Sequence, residues 1–146
     1  MSNRRAFALV LAIMWLWPAS LHAQSDAFLD ALEQGTALNK TGNYEQAILF
    51  WGKALELGKK EFGPDHPTTA TLLNNLATLF RVQGHYAEAE PLMKRALAIR
   101  EKELGPEHPD VSESLNNLAL LYYAQGRYAE AEPLYERALA IRAKYE

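Results

Sequence analysis

Residues 73–77 read Leu73-Asn74-Asn75-Leu76-Ala77, and 42 residues later the same five return as Leu115-Asn116-Asn117-Leu118-Ala119. Reading outward, Gln83-Gly84-His85-Tyr86-Ala87-Glu88-Ala89-Glu90-Pro91-Leu92 returns as Gln125-Gly126-Arg127-Tyr128-Ala129-Glu130-Ala131-Glu132-Pro133-Leu134. Over the whole period, residues 63–104 and 105–146 agree at about 26 of 42 positions. A weaker copy lies upstream, where Gly42, Tyr44, Ala47, Lys53, Ala54 and Leu55 hold the same phase. Self-similarity at a fixed period of this size marks a stack of identical small units.

Each unit reads as two helices. In the second, Leu72, Leu73, Leu76, Ala77 and Phe80 form an apolar stripe at helical spacing. Pro67 suits a first helical turn, where its missing N–H has no partner to lose, and Gly84 suits the left-handed residue that ends the helix. The second helix starts near Tyr86 and turns Ala89, Met93, Ala96, Leu97 and Ile99 toward the first. Gly105-Pro106 and Pro109 then punctuate the link to the third unit, which repeats the pattern with Leu115, Leu118, Ala119, Tyr122, Gly126, Ala131, Tyr135 and Ala138. Pro91 and Pro133 stand about one turn into their helices, where each removes one backbone bond. In the first unit Gln34 and Gly35 occupy core positions, as in a divergent terminal cap.

Residues 1–23 carry a different signal. Arg4 and Arg5 precede the apolar run Ala6 to Trp17, Pro18 breaks it, and Leu21-His22-Ala23 offers a small residue before Gln24. This three-part pattern predicts a secretory signal peptide, too short in its apolar part to span a bilayer. Arg4-Arg5-Ala6-Phe7 faintly resembles a twin-arginine signal, although the strong apolar run favours the general secretory route. An uncleaved anchor is the alternative. Cleavage after Ala23 leaves 13 basic against 18 acidic residues, a net charge of −5. The expected location is therefore exported, periplasmic first and secreted or anchored second, with no membrane span after cleavage.

Composition narrows the function. Apolar residues make up 49% and charged residues 23%, a globular balance. The formal charge of −3 gives no basic excess for nucleic acid. There is no cysteine, which excludes disulfides, thiol catalysis and thiolate metal sites, and suits an oxidising compartment.

The repeated residues resemble the tetratricopeptide repeat. Its first-helix pattern is matched by Leu73, Leu76, Ala77, Phe80 and by Leu115, Leu118, Ala119, Tyr122. Its second-helix pattern of Ala, aromatic, Ala is matched by Ala47, Trp51, Ala54 and by Ala131, Tyr135, Ala138, with Met93 replacing the aromatic between them. The 42-residue period, the Gly-Pro-x-His-Pro linkers and the Leu-Asn-Asn-Leu-Ala core resemble the kinesin-light-chain type. The resemblance implies an all-α fold, a right-handed superhelical solenoid of three tandem helix hairpins over residues 24–146, with units at about 26–62, 63–104 and 105–146. It also implies a scaffold that binds another protein or a peptide segment in its concave groove.

Helical phase then names the groove. The second unit offers Thr71, Asn74, Asn75, Thr78 and Arg81, and the third offers Glu113, Asn116, Asn117, Leu120 and Tyr123. Leu29, Leu32, Glu33, Thr36 and Asn39 are the first unit's equivalents. Asparagine is a mediocre helix former, so two adjacent ones recurring mid-helix indicate amides that meet partners. Those partners are either a bound extended peptide or the neighbouring unit. His66 and His108 precede prolines and read as linker or capping residues, not metal ligands. Glu88, Glu90, Glu130 and Glu132 read as a solvated face with favourable first-turn charge. Trp51, Tyr86, Tyr128 and Tyr135 read as core. No nucleophile–base pair, acid cluster or glycine-rich phosphate loop occurs, so the expectation is a non-enzyme without cofactor or metal. Leu134, Tyr135 and Leu139 of the last unit are expected to stay partly uncovered, a surface for self-association by end-to-end stacking or for docking of a partner helix.

Overall fold

The computed structural model describes residues 19–146, with side-chain surroundings described from Ser25 onward. Among the described residues the chain forms helices alone: α1 (Ala19–Lys40), α2 (Tyr44–Phe62), α3 (Pro67–Val82), α4 (Tyr86–Leu104), α5 (Pro109–Ala124) and α6 (Tyr128–Ala143). The expected three hairpins are α1–α2, α3–α4 and α5–α6. The second helix of each hairpin packs on the first helix of the next, which makes a solenoid. None of these helices is long and apolar enough to cross a membrane. The predicted signal segment falls on residues that lie outside the described side chains.

The linkers set the helix starts. The His66 side chain caps α3 by accepting a hydrogen bond from the Thr68 N–H at 3.1 Å, and His108 caps α5 from the Asp110 N–H at 3.1 Å. Pro67 and Pro109 follow as first helical residues, their fixed φ already suited to the turn. Gly84 and Gly126 turn each hairpin at φ +77° and +73°, a backbone that side-chain-bearing residues avoid. Helices α4 and α6 run on through Pro91 and Pro133.

The predicted apolar stripe is the core. Leu72, Leu73, Leu76 and Ala77 are buried, as are Ala89, Met93, Ala96 and Ile99 opposite them. In the third unit Leu115, Leu118, Ala119, Tyr122, Ala131 and Ala138 are buried. Alanines at helix crossings let the backbones approach closely, so the hairpins pack tightly. The first hairpin departs from this plan. Gly35 is buried because a Cβ there would stand 2.8 Å from Trp51 Cδ1, so the missing side chain is what seats the indole. Its neighbour Gln34 is exposed, against the expectation of a core position.

Of the four aromatic residues expected in the core, Tyr128 needs correcting and Tyr86 and Tyr135 reach the core only in part. Trp51 is buried, but Tyr86 and Tyr135 are only half-buried and Tyr128 is 58% exposed. Tyr86 and Tyr128 occupy the same position in successive units. The first packs against the core cluster shared with the following unit, whereas the second meets only the edge of Tyr123 among the described aromatic rings and stays largely exposed.

Candidate partner-binding groove

The first helices α3 and α5 meet each other directly, so their outward faces form one surface; α1 and α3 make no such approach. On that surface the asparagine pairs divide by role. Asn74 is buried, and its Nδ2 donates to Ser114 Oγ at 3.0 Å across the unit boundary. Asn74 therefore leaves the predicted peptide-binding set: it is 1% exposed, its Nδ2 is spent on the next unit, and its Oδ1 is buried without a partner, out of a ligand's reach. Asn75 is exposed, and Asn116 and Asn117 are half-buried.

The remaining predicted residues split in the same way. Thr71 Oγ1 accepts from Arg100 at 3.1 Å, and the Thr78 hydroxyl donates to the Asn74 carbonyl at 2.9 Å, so both hydroxyls serve the scaffold. Arg81 is half-buried at the rim. Glu113 is exposed and lies 3.5 Å from Arg100. Leu120 and Tyr123 are exposed, and Tyr123 meets the edge of Tyr128 at a ring separation of 4.9 Å. On α1, Leu29, Leu32, Glu33 and Thr36 line an open cleft of about 580 Å³ together with Ala37 and Lys40. Along α3 and α5 the surface thus offers accessible amides, the acid Glu113 and the apolar Leu120 and Tyr123, which suits an extended polypeptide, while the separate α1 cleft adds Glu33 beside Leu29 and Leu32.

Two polar clusters at the junction of the second and third units escaped the sequence reading. Arg100 is 3% exposed and donates to the Asp110 carbonyl, Ser114 Oγ and Thr71 Oγ1 at 3.0–3.1 Å, tying α3, α4 and α5 together. A signal existed: Arg100 follows the buried Ala96 by one helical turn, so an arginine stands within the apolar period. Glu90 is the second case and corrects the expected solvated face. Its carboxylate accepts from Tyr122 at 3.1 Å and Arg127 at 2.9 Å and pairs with Lys94 at 2.6 Å. The Arg127 guanidinium also lies 4.1 Å over the Tyr122 ring.

Lys94, and then Arg127, hold the Glu90 carboxyl well below the usual carboxylate range, at about 2. A carboxylate depressed in the folded chain contributes stability that is complete above its ordinary value of 4.5 and is lost as pH falls toward about 2. Thermal melts of the native chain and Glu90→Gln should therefore differ most near neutrality and converge in that acidic window. A gap independent of pH would show that the ion cluster does not carry the difference.

A family model for the tetratricopeptide repeat matches residues 28–102 and 79–144. Among solved structures, BtubC (BKLC) from P. vanneervenii aligns with a TM-score of 0.74 and 28% identity, covering 81% of this chain and 47% of that one. A putative kinesin light chain from Podospora anserina with nearly identical TPR-like repeats aligns with a TM-score of 0.72 and 28% identity, covering 82% and 56%. The TPR domain of Arabidopsis FLU has a TM-score of 0.70 at 22% identity, covering 84% and 99%, and shares the fold. A clustered mitochondria protein homolog from Coccidioides immitis is 37% identical over 57 residues, 39% of this chain and 4% of that protein. The chain thus spans about half the length of the first two structures and a small fraction of the curated relative.

Proposed function

Since this chain belongs to the tetratricopeptide repeat family, we propose that it is an exported scaffold that holds an extended segment of a partner protein along α3 and α5. The family supports protein–protein interaction in general; the groove and the export are our reading. One observation carries the groove: Asn75 and Asn117 stand in the same phase one unit apart and remain accessible, while the neighbouring Asn74 is consumed by the scaffold. An asparagine amide presents one acceptor and two donors, which match the carbonyl and N–H of an extended backbone. Such contacts read main chain more than side chain, so Leu120 and Tyr123 would supply the sequence preference. Export rests on the pattern in residues 1–23 and on the lack of cysteine.

Crosslinking capture from an envelope fraction tests this reading. The variant Asn75→Ala/Asn117→Ala should lose the partner at least about tenfold, a loss of about 1.4 kcal/mol, with melting unchanged. Asn74→Ala should instead lower the melting temperature. Partner capture undiminished by the double variant would remove the amides from recognition. The captured chain should begin at Gln24; an intact Met1 would refute cleavage.

A further inference from the structure

The outer face of the last hairpin carries a stripe whose chemistry is legible from inside the molecule. Tyr128, Glu132, Tyr135, Leu139 and Arg142 follow one another in steps of four and three along α6, the spacing of a helix–helix seam. One unit earlier the same positions are Tyr86, Glu90, Met93, Leu97 and Arg100, and there α5 covers the seam. At that junction both charges are used: Glu90 takes Tyr122 and Arg127, and Arg100 takes Ser114 and the Asp110 carbonyl. On α6 the seam is open. Leu139 is 61% exposed where Leu97 is half-buried, and Tyr123, Tyr128, Tyr135 and Leu139 line a mostly apolar cleft of about 530 Å³, edged by Glu132 and Glu136. Among the described residues, neither Glu132 nor Arg142 has an ion-pair partner.

We propose that two copies of this chain pair through α6, antiparallel, about a two-fold axis between Tyr135 and Leu139. The pattern is self-complementary. In that register Tyr135 of each copy meets Leu139 of the other, and Glu132 of each meets Arg142 of the other, because both pairs are centred on the same point of the helix. The apolar middle is then buried, and Glu132 and Arg142, the latter otherwise held only by Ser112 Oγ, each gain an opposite charge, with Glu136 left at the solvent edge of the seam. A closed two-fold contact of this kind uses one patch twice and stops at two copies.

The opposite end of the chain fits the cleft less well. At the internal junction α5 presents Ser114, Leu118 and Leu121, all buried. The equivalents on α1 are Asp30, Gln34 and Ala37, all exposed. A second copy stacking head to tail would therefore bring no leucine to the cleft.

A face one helix wide lies at the small end of specific interfaces, so the pairing is expected to be weak and to depend on concentration. Sedimentation of the purified chain from about 1 to about 100 micromolar should show its mass doubling. Glu132→Arg and Arg142→Glu, each checked for native helicity by circular dichroism, should both stay single at these concentrations. Their equimolar mixture should recover the doubled mass, because the first variant is basic at both positions of the pair and the second is acidic at both. A native chain that stays single, masses growing beyond two copies, or a mixture that fails to recover would each overturn the proposal.

Discussion

Replacing Arg100 by alanine is expected to cost about 3 kcal/mol of stability, whereas the same change at Arg142, its repeat equivalent, should cost less than about 0.5 kcal/mol. The residues match in sequence and in position on their helices. They differ in what surrounds them. Arg100 is almost fully buried and makes three hydrogen bonds to groups on α3 and α5, and its removal leaves the Asp110 carbonyl and the Ser114 hydroxyl with fewer donors in a dry junction. Arg142 is exposed, bonds only Ser112 Oγ at 3.2 Å, and has water as its alternative partner. Urea unfolding of the two variants, followed by circular dichroism, measures the difference directly. Equal losses would show that the buried network contributes nothing beyond the side chain's local packing.

The second large effect is expected at Leu115→Ala. Leu115 has no exposed surface and packs with Val111, Ala138 and Ile141 where α5 crosses α6. Truncating a fully buried leucine costs about 2–5 kcal/mol, the range reflecting how far the site can collapse. Collapse is limited here, since Ala138 opposite is already small and rigid. In a stack where each unit touches only its neighbours, the loss should also be local. Hydrogen exchange should accelerate in α5 and α6 while α1 and α2 keep their protection. Uniform acceleration through all six helices would instead show that the three hairpins open as one cooperative unit.

Most of the fold was legible in the sequence because it rests on local and periodic chemistry. The 42-residue repeat, the apolar stripes and the glycines at the turns pointed to three helix hairpins, and the same hairpins form. Even the histidine caps followed from the residues beside them. The groove was legible only in outline. Helical phase put Asn74 and Asn75 side by side, yet one turns into the junction and the other stays open. Phase gives the direction of a side chain about its own helix and says nothing of how deep a neighbouring helix reaches. Arg100 and Glu90 escaped for a related reason: charged residues read as surface until a packed neighbour is seen to supply their partners.

The sequence by itself determined the repeat, the helices and the side of each helix that faces the core, since these depend on side-chain type and on spacing along one chain. The tertiary structure alone decided which copy of a repeated residue is buried. Tyr86 and Tyr128, and Arg100 and Arg142, are the same residues in the same local sequence, yet the first of each pair packs toward α5 and the second is exposed; only for Leu139 was the open position expected from the sequence. Burial and the satisfaction of polar groups are properties of what is packed on top, and in a linear stack that differs from one unit to the next.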